Sequence, residues 1–172
     1  MTASCLANLG ELAWEQGHLE EANTYYSEAL GAYTDLADTH QIAILLANVA
    51  KLRLSQGDPR GAIEHLRDGL ELLRWLPGEK WVVGGLLRLC AQALSAAGTP
   101  DTGAVLWGAS NEVLREVGYV PSPGERALEE RIIEAARTEL TDRHWNEAVR
   151  RGEAMSMEEV LHFALAQKAT SR

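Results

Sequence analysis

Three stretches of this chain align with one another at a spacing of about 40 residues, and no other feature restricts the possible folds as strongly. They are LANLGELAWEQGHLEEANTYYSEAL from Leu6, LANVAKLRLSQGDPRGAIEHLRDGL from Leu46 and LLRLCAQALSAAGTPDTGAVLWGASN from Leu86. Gly17, Gly57 and Gly98 head the three turns, at intervals of 40 and 41. Ala22, Ala62 and Gly103 follow those glycines by five residues, and Tyr26, Leu66 and Trp107 follow them by nine. A chain built this way stacks similar units, each burying one face against the next.

Each unit predicts helix, tight turn, helix. In the second unit Ile42, Leu45, Leu46, Val49, Leu52 and Leu54 follow a helical period. Gly57 suits the left-handed conformation that ends a helix, Asp58 can cap the next, and Pro59 fits its first position. Thr99 and Pro100 are expected to repeat that device. The small residues at Ala22, Ala62 and Gly103 let paired helices approach closely. The bulky residue four positions on fills the space between them, so these are packing residues rather than ligands.

The pattern resembles the tetratricopeptide repeat, W-x2-L-G-x2-Y followed by Ala, Phe and Pro. The first unit carries it through Leu9-Gly10, Ala13, Gly17, Ala22, Tyr26 and Ala29, whereas Val49-Ala50 and Cys90-Ala91 replace Leu-Gly in the other two. The usual repeat is about 34 residues, so the extra length adds about two helical turns per hairpin at most. The resemblance covers residues 3 to about 117. It implies an all-α fold: a right-handed superhelical array of antiparallel helix hairpins over residues 3–37, 41–76 and 80–117.

After Gly118 the register stops. Residues 119–172 are expected to form a helical segment that closes the array, the repeats occupying residues 1–118. Ser122, Pro123 and Glu125 read as a cap, a first helical position and a capping box, ahead of Leu128, Ile132, Ile133, Ala136 and Leu140 on one side. Thr141 or Asp142 begins a short helix with Trp145, Ala148 and Val149, which Gly152 is expected to end. Ser156 and Glu159 form a second capping box, before an apolar stripe of Met157, Val160, Leu161, Ala164 and Leu165. Three helices with one apolar side each are suited to covering the open end of a stack. Glu158 and Glu159, against Lys168 alone, disfavour an anionic membrane surface for the last of them.

The order of these features carries a second resemblance. Val105 to Glu116, Pro123 to Leu140 and Trp145 to Leu165 are similar to the C-terminal end of bacterial signal-transduction ATPases, with LuxR-type and adenylate-cyclase-linked members. There a "LLGAAEALRE" helix, a "P-x-ERA" helix and a "W-x-x-G-x-x-M-S-x-E-E-A" hairpin follow one another; Val160 stands here where Ala is usual. The resemblance implies a sensory or autoinhibitory C-terminal arm of such a regulator, or a short relative of it, whose partner is a protein or peptide or the regulator's own upstream domains. This sequence has no G-x-x-x-x-G-K-[ST] loop, so nucleotide chemistry is not expected of it.

Other classes fall away on composition and spacing. A net charge of −9 without a Lys/Arg cluster argues against direct nucleic-acid binding. The apolar run Ile42–Ala50 is too short to span a bilayer, and the first residues do not read as a signal peptide. Cys5 and Cys90, each among small or apolar neighbours, read as buried thiols suited to a reducing cytoplasm. The histidines His18, His40, His65, His144 and His162 lack metal-site spacing, and no nucleophile motif occurs, so neither a metal, a cofactor nor an enzyme activity is expected.

What remains is a groove. In tetratricopeptide arrays the first helices line the concave side, where peptides or partner helices lie. Register places Asn8, Glu11 and Glu15 there from the first unit, beside Ala7. The second unit contributes Asn48, Lys51 and Ser55, beside Ala47, and the third contributes Arg88, Gln92 and Ser95. Of the carboxylate-clamp pattern known in that family only Asn48 is kept, with Glu11 and Leu89 at other positions, so a carboxylate clamp is not expected. Leu6, Leu9 and Leu12 suggest an exposed edge capable of self-association. A free-standing adaptor and a small-molecule inducer sensor are the other readings open at this level.

Overall fold

The structure is a computed structural model that describes residues 2–74 and 78–167. Lys168, residues 1 and 76 as unit boundaries, and the end of the last segment lie outside the described residues. The helices are α1 (Ala3–Glu15), α2 (Leu19–Asp35), α3 (Thr39–Ser55), α4 (Pro59–Leu73), α5 (Lys80–Ala96), α6 (Pro100–Glu116), α7 (Pro123–Glu139), α8 (Asp142–Glu153) and α9 (Met157–Ala166). The described residues contain no strand. The fold is an all-α array of helix hairpins, α1/α2, α3/α4 and α5/α6, with three further helices after them.

The hairpin turns share one hydrogen-bond pattern. Gly17 N–H donates to the Trp14 carbonyl and His18 N–H to that of Ala13; Gly57 and Asp58 do the same to Leu54 and Arg53, and Gly98 and Thr99 to Ser95 and Leu94. This reciprocal closure needs a left-handed residue, which the glycines supply at φ of 79°, 77° and 85°. Between the first and second hairpins Ala37 takes the same role, at φ 54° and with the same bonds. Asp58 caps α4 through the Gly61 N–H, with Pro59 behind it. Thr99 departs from that expectation: its hydroxyl donates back to the Leu94 carbonyl at 2.8 Å. A hydroxyl can donate to the orphan carbonyls of a helix end, and a carboxylate cannot.

Packing within the hairpins follows the small-then-large rhythm. A Cβ on Gly10 would lie 2.5 Å from the Tyr26 ring, so the closeness of α1 and α2 depends on both residues. Tyr26 and Leu66 are fully buried, as are Ala22 and Ala62. Trp107 differs, remaining half-buried with its ring beneath Arg88, whose guanidinium carbon is 3.9 Å from the ring centroid.

The last three helices separate. α8 lies against α6 in contact so close that a Cβ on Gly108 would meet the Val149 carbonyl, and one on Gly152 the Val105 carbonyl. Gly152 therefore does not end α8, which runs one residue past it to an Ala154 cap; it is buried where two backbones cross. α9 packs Val160 and Ala164 against the main core and touches α4 and α6. α7 does not simply cover the end of the stack. Its second half places Ile133 and Ala136 with Ala104, Val105, Trp145 and Ala148. Its first half crosses the row of first helices α1, α3 and α5. Both capping boxes form, at Ser122 with Glu125 and at Ser156 with Glu159.

Candidate functional site: the face of α1, α3 and α5

The face formed by the first helices carries two cations, Lys51 on α3 and Arg88 on α5. Lys51 is 5% exposed although it is a lysine, and a buried ammonium needs partners. Its Nζ donates to Glu11 Oε1 at 2.7 Å and to Glu125 Oε1 at 3.1 Å, and sits 4.8 Å from the centroid of the Trp14 ring. Trp14 is fixed in turn: its indole N–H donates to Ser55 Oγ at 2.8 Å, and the Ser55 hydroxyl donates to the Lys51 carbonyl. The Tyr26 hydroxyl donates to Glu11 Oε2 at 3.0 Å. Burial, with the Glu11 carboxylate added, pushes the Tyr26 hydroxyl well above its usual range, so it stays a donor.

α7 completes this network. Glu125 accepts from Lys51 on one oxygen and from the Tyr119 hydroxyl and Ser122 N–H on the other, both at 2.9 Å. Burial alone pushes its carboxyl up, but Lys51, the Ser122 N–H and Tyr119 together outweigh that and hold it below the usual range. One turn along, Glu129 Oε1 faces Arg88 Nη1 at 3.7 Å. Burial pushes this carboxyl up, Arg88 offsets only part of that, and nearby Glu125 adds to it, so Glu129 stands above the usual range. Arg88 is further held by Asn111 Oδ1 at 2.6 Å. The Ser122 hydroxyl bonds the Glu15 carboxylate at the near end.

Of the residues predicted to line the groove, Glu11, Lys51 and Ser55 thus join in one side-chain network with Glu15 at its edge, and Arg88 forms a separate cluster with Glu129, Asn111 and Trp107. Gln92 and Ser95 are buried beneath it, and Ser95 lies against Gly103. Asn8 and Asn48 line a cavity of about 250 Å³ beside Glu11 and Lys51 of the network, with Tyr33 and Gln41. A second cavity of about 100 Å³ remains between α3, α5 and α7, lined by Ile44, Trp81, Gln92, Tyr119 and Leu128 among others. Sequence reasoning missed the α7 side of the site. The signal was present: Glu125 and Glu129 are four residues apart with Leu128 between their turns, but Glu125 was already explained by its capping box, which it also makes.

Two expectations change in detail. Cys5 is exposed, while Cys90 is buried. Of the proposed N-terminal edge, Leu6 is buried in the core, Leu9 is half-buried and Leu12 is 54% exposed. Among the described residues no group of three or more His, Cys, Asp or Glu is placed to hold a metal ion, and no helix is long and apolar enough to cross a membrane.

This architecture agrees with comparison to known proteins. Residues 1–74 match the family described as tetratricopeptide repeat, a span that holds α1 to α4. Residues 1–74 are therefore similar to the tetratricopeptide repeat, a kind of repeat that suggests a protein-interaction module. No curated protein and no solved structure matches the chain.

Proposed function

We propose that this chain is a non-enzymatic, cytoplasmic protein-interaction module serving as the C-terminal arm of a bacterial signal-transduction ATPase regulator, and that its partner is the regulator's upstream domains. The observation that carries the interaction reading is the occupied groove. The face of α1, α3 and α5 holds a helix through two buried or half-buried cations and an apolar strip, which is the chemistry of a helix-binding surface. The regulator reading rests on the order of features between Val105 and Leu165, which is similar to the end of such proteins.

The full reading frame tests it. An in-frame nucleotide-binding module with a G-x-x-x-x-G-K-[ST] loop ahead of residue 1 is expected, and titration of that purified module with this chain should show saturable binding. A frame that opens at Met1, directly after an in-frame stop, would overturn the regulator reading in favour of a free-standing adaptor.

One observation favours a second reading, a small-molecule inducer sensor. Gln92 is 2% exposed, its side-chain oxygen has no hydrogen-bond partner, and it lines the cavity under α7. A metabolite seated there would raise the melting temperature in proportion to its occupancy. A broad thermal-shift screen without a hit would remove this reading.

A further inference from the structure

We propose that the face of α1, α3 and α5 receives an acidic amphipathic helix from a partner protein, one with the spacing E-x-x-L-E-x-x-I, and that α7 is its built-in competitor. This rests on the protein-interaction reading above and names the chemistry of the partner.

The pattern is written in α7 itself. Glu125, Leu128, Glu129 and Ile132 recur at helical spacing and form its inward stripe, with Leu128 and Ile132 buried. The receptor side is complementary. Lys51 and Arg88 stand over Trp14 and Trp107, and each meets one of the two carboxylates. Aromatic rings beneath both cations fix where positive charge is presented, so a helix with acidic residues one turn apart is read in register. Basic or neutral helices would leave Lys51 without its second partner in a site already low in water.

What holds α7 is transferable to another helix. Its described bonds to α1, α3 and α5 run through side chains alone: Ser122 to Glu15, Glu125 to Lys51 and Glu129 to Arg88. α8 is held differently, by backbone-to-backbone contact at Gly108 and Gly152 that only a glycine permits. The second half of α7 is anchored on α6 and α8 through Ile133 and Ala136, so it is the first half, up to Ile132, that leaves the face while α6 and α8 stay in place. The outward side of α7, with Arg126, Glu130, Arg131 and Glu134, is exposed.

An unpaired apolar patch marks the entrance. Val117, Tyr119 and Val120, in the segment that leads into α7, are 40%, 36% and 77% exposed, and Trp81 at the start of α5 is 49% exposed. Tyr119 and Trp81 line the cavity between α3, α5 and α7, which puts exposed aromatic surface at the groove. Clustered exposed aromatic and aliphatic side chains beside a charged groove are where a partner's apolar residues gain most from leaving water.

The probe is a labelled synthetic peptide of residues 119–141, titrated by fluorescence polarisation into the full chain. Three titrations are compared: wild type, the full chain carrying Glu125→Gln and Glu129→Gln, and that variant against a peptide in which both glutamates are lysine. The unlatched variant should bind the acidic peptide about tenfold tighter than wild type, because its own α7 competes less. The lysine peptide should bind at least about tenfold more weakly than the acidic one. Equal binding of the two peptides, or no binding to an unlatched variant whose circular dichroism shows it folded, overturns the proposal. Should the variant fail to fold, hydrogen exchange on the wild type decides: amides in the first half of α7 exchanging about tenfold faster than those of α8 support the proposal, and equal protection overturns it. A sedimenting dimer that exchanges α7 between copies also overturns it, since the occupant would then be a second copy. A failed titration beside an upstream ATPase module sinks this inference alone; binding without such a module sinks only the regulator reading.

Discussion

Lys51 and Glu125 stand 74 residues apart in the chain, and a 3.1 Å hydrogen bond between them ties the second repeat to the helix that crosses it. Lys51 is shared, since Glu11 takes a second of its protons. Replacing it with methionine leaves two carboxylates facing each other over an apolar side chain. We expect Lys51→Met to lower unfolding stability by about 2 kcal/mol, below the range for fully buried pairs because Glu11 and Glu125 keep some contact with water. Urea unfolding measures it, and an unchanged midpoint would show that the pair contributes nothing.

The two glutamates of α7 should respond to acid in opposite senses. Glu125 is held below its ordinary value of 4.5, so its contribution is present above that pH and disappears as pH falls through the lower folded value. Glu129 is held above 4.5, so its ionised form is the less favourable one in the folded protein, and it costs stability as pH rises through that window. Glu125→Gln should flatten the acid side of the stability curve and weaken the protein at neutral pH. Glu129→Gln should be tolerated far better at neutral pH. Thermal melts across the acidic range of both variants would show whether the signs differ.

Turn chemistry gives a matched pair. Ala37 sits at φ 54°, where a side chain is strained, while Gly57 sits at 77° in the equivalent bonding pattern. Ala37→Gly should stabilise by roughly 0.5–1 kcal/mol, and Gly57→Ala should destabilise by about 1 kcal/mol. Both shifts are readable as changes in denaturant midpoint at constant slope.

Gly152 and Gly31 separate close approach from simple helix propensity. A Cβ at Gly152 would lie 1.8 Å from the Val105 carbonyl oxygen, so Gly152→Ala must push α8 off α6 and should destabilise by about 3 kcal/mol. Gly31, in α2, has nothing within 4 Å of an added Cβ, so Gly31→Ala should stabilise by roughly 0.5–1 kcal/mol. Calorimetry on the two variants should move in opposite directions.

The two thiols should label at very different rates. Cys5 is exposed, whereas burial pushes the Cys90 thiol up to about 12. Iodoacetamide at neutral pH should alkylate Cys5 in the native protein and reach Cys90 only after denaturation. Peptide mass spectrometry resolves them, and rapid native labelling of Cys90 would mean that the α5 region opens readily.

Much of the array was legible because its determinants are local. The glycine turns, the Asp58 cap with Pro59, and the capping boxes at Ser122 and Ser156 each depend on residues within four positions of one another. Thr99 shows the limit even there. Its hydroxyl can either cap α6 or serve the last carbonyls of α5, and a motif does not say which orphan group prevails. Gly152 shows another: a glycine near a helix end and a glycine at a backbone crossing look alike until the facing backbone is known.

The sequence by itself determined the repeat, the hairpins, their turn geometry and the helical nature of the segment after Gly118, since each is a matter of periodicity and neighbouring residues. Only the tertiary structure decided that α7 lies along the face of α1, α3 and α5, with Glu125 on Lys51 and Glu129 near Arg88. The reason is physical: an amphipathic helix states which side it must bury, but many apolar surfaces can satisfy it. The choice rests on where Lys51, 74 residues from Glu125 in the chain, needs a carboxylate, and no local pattern carries that information.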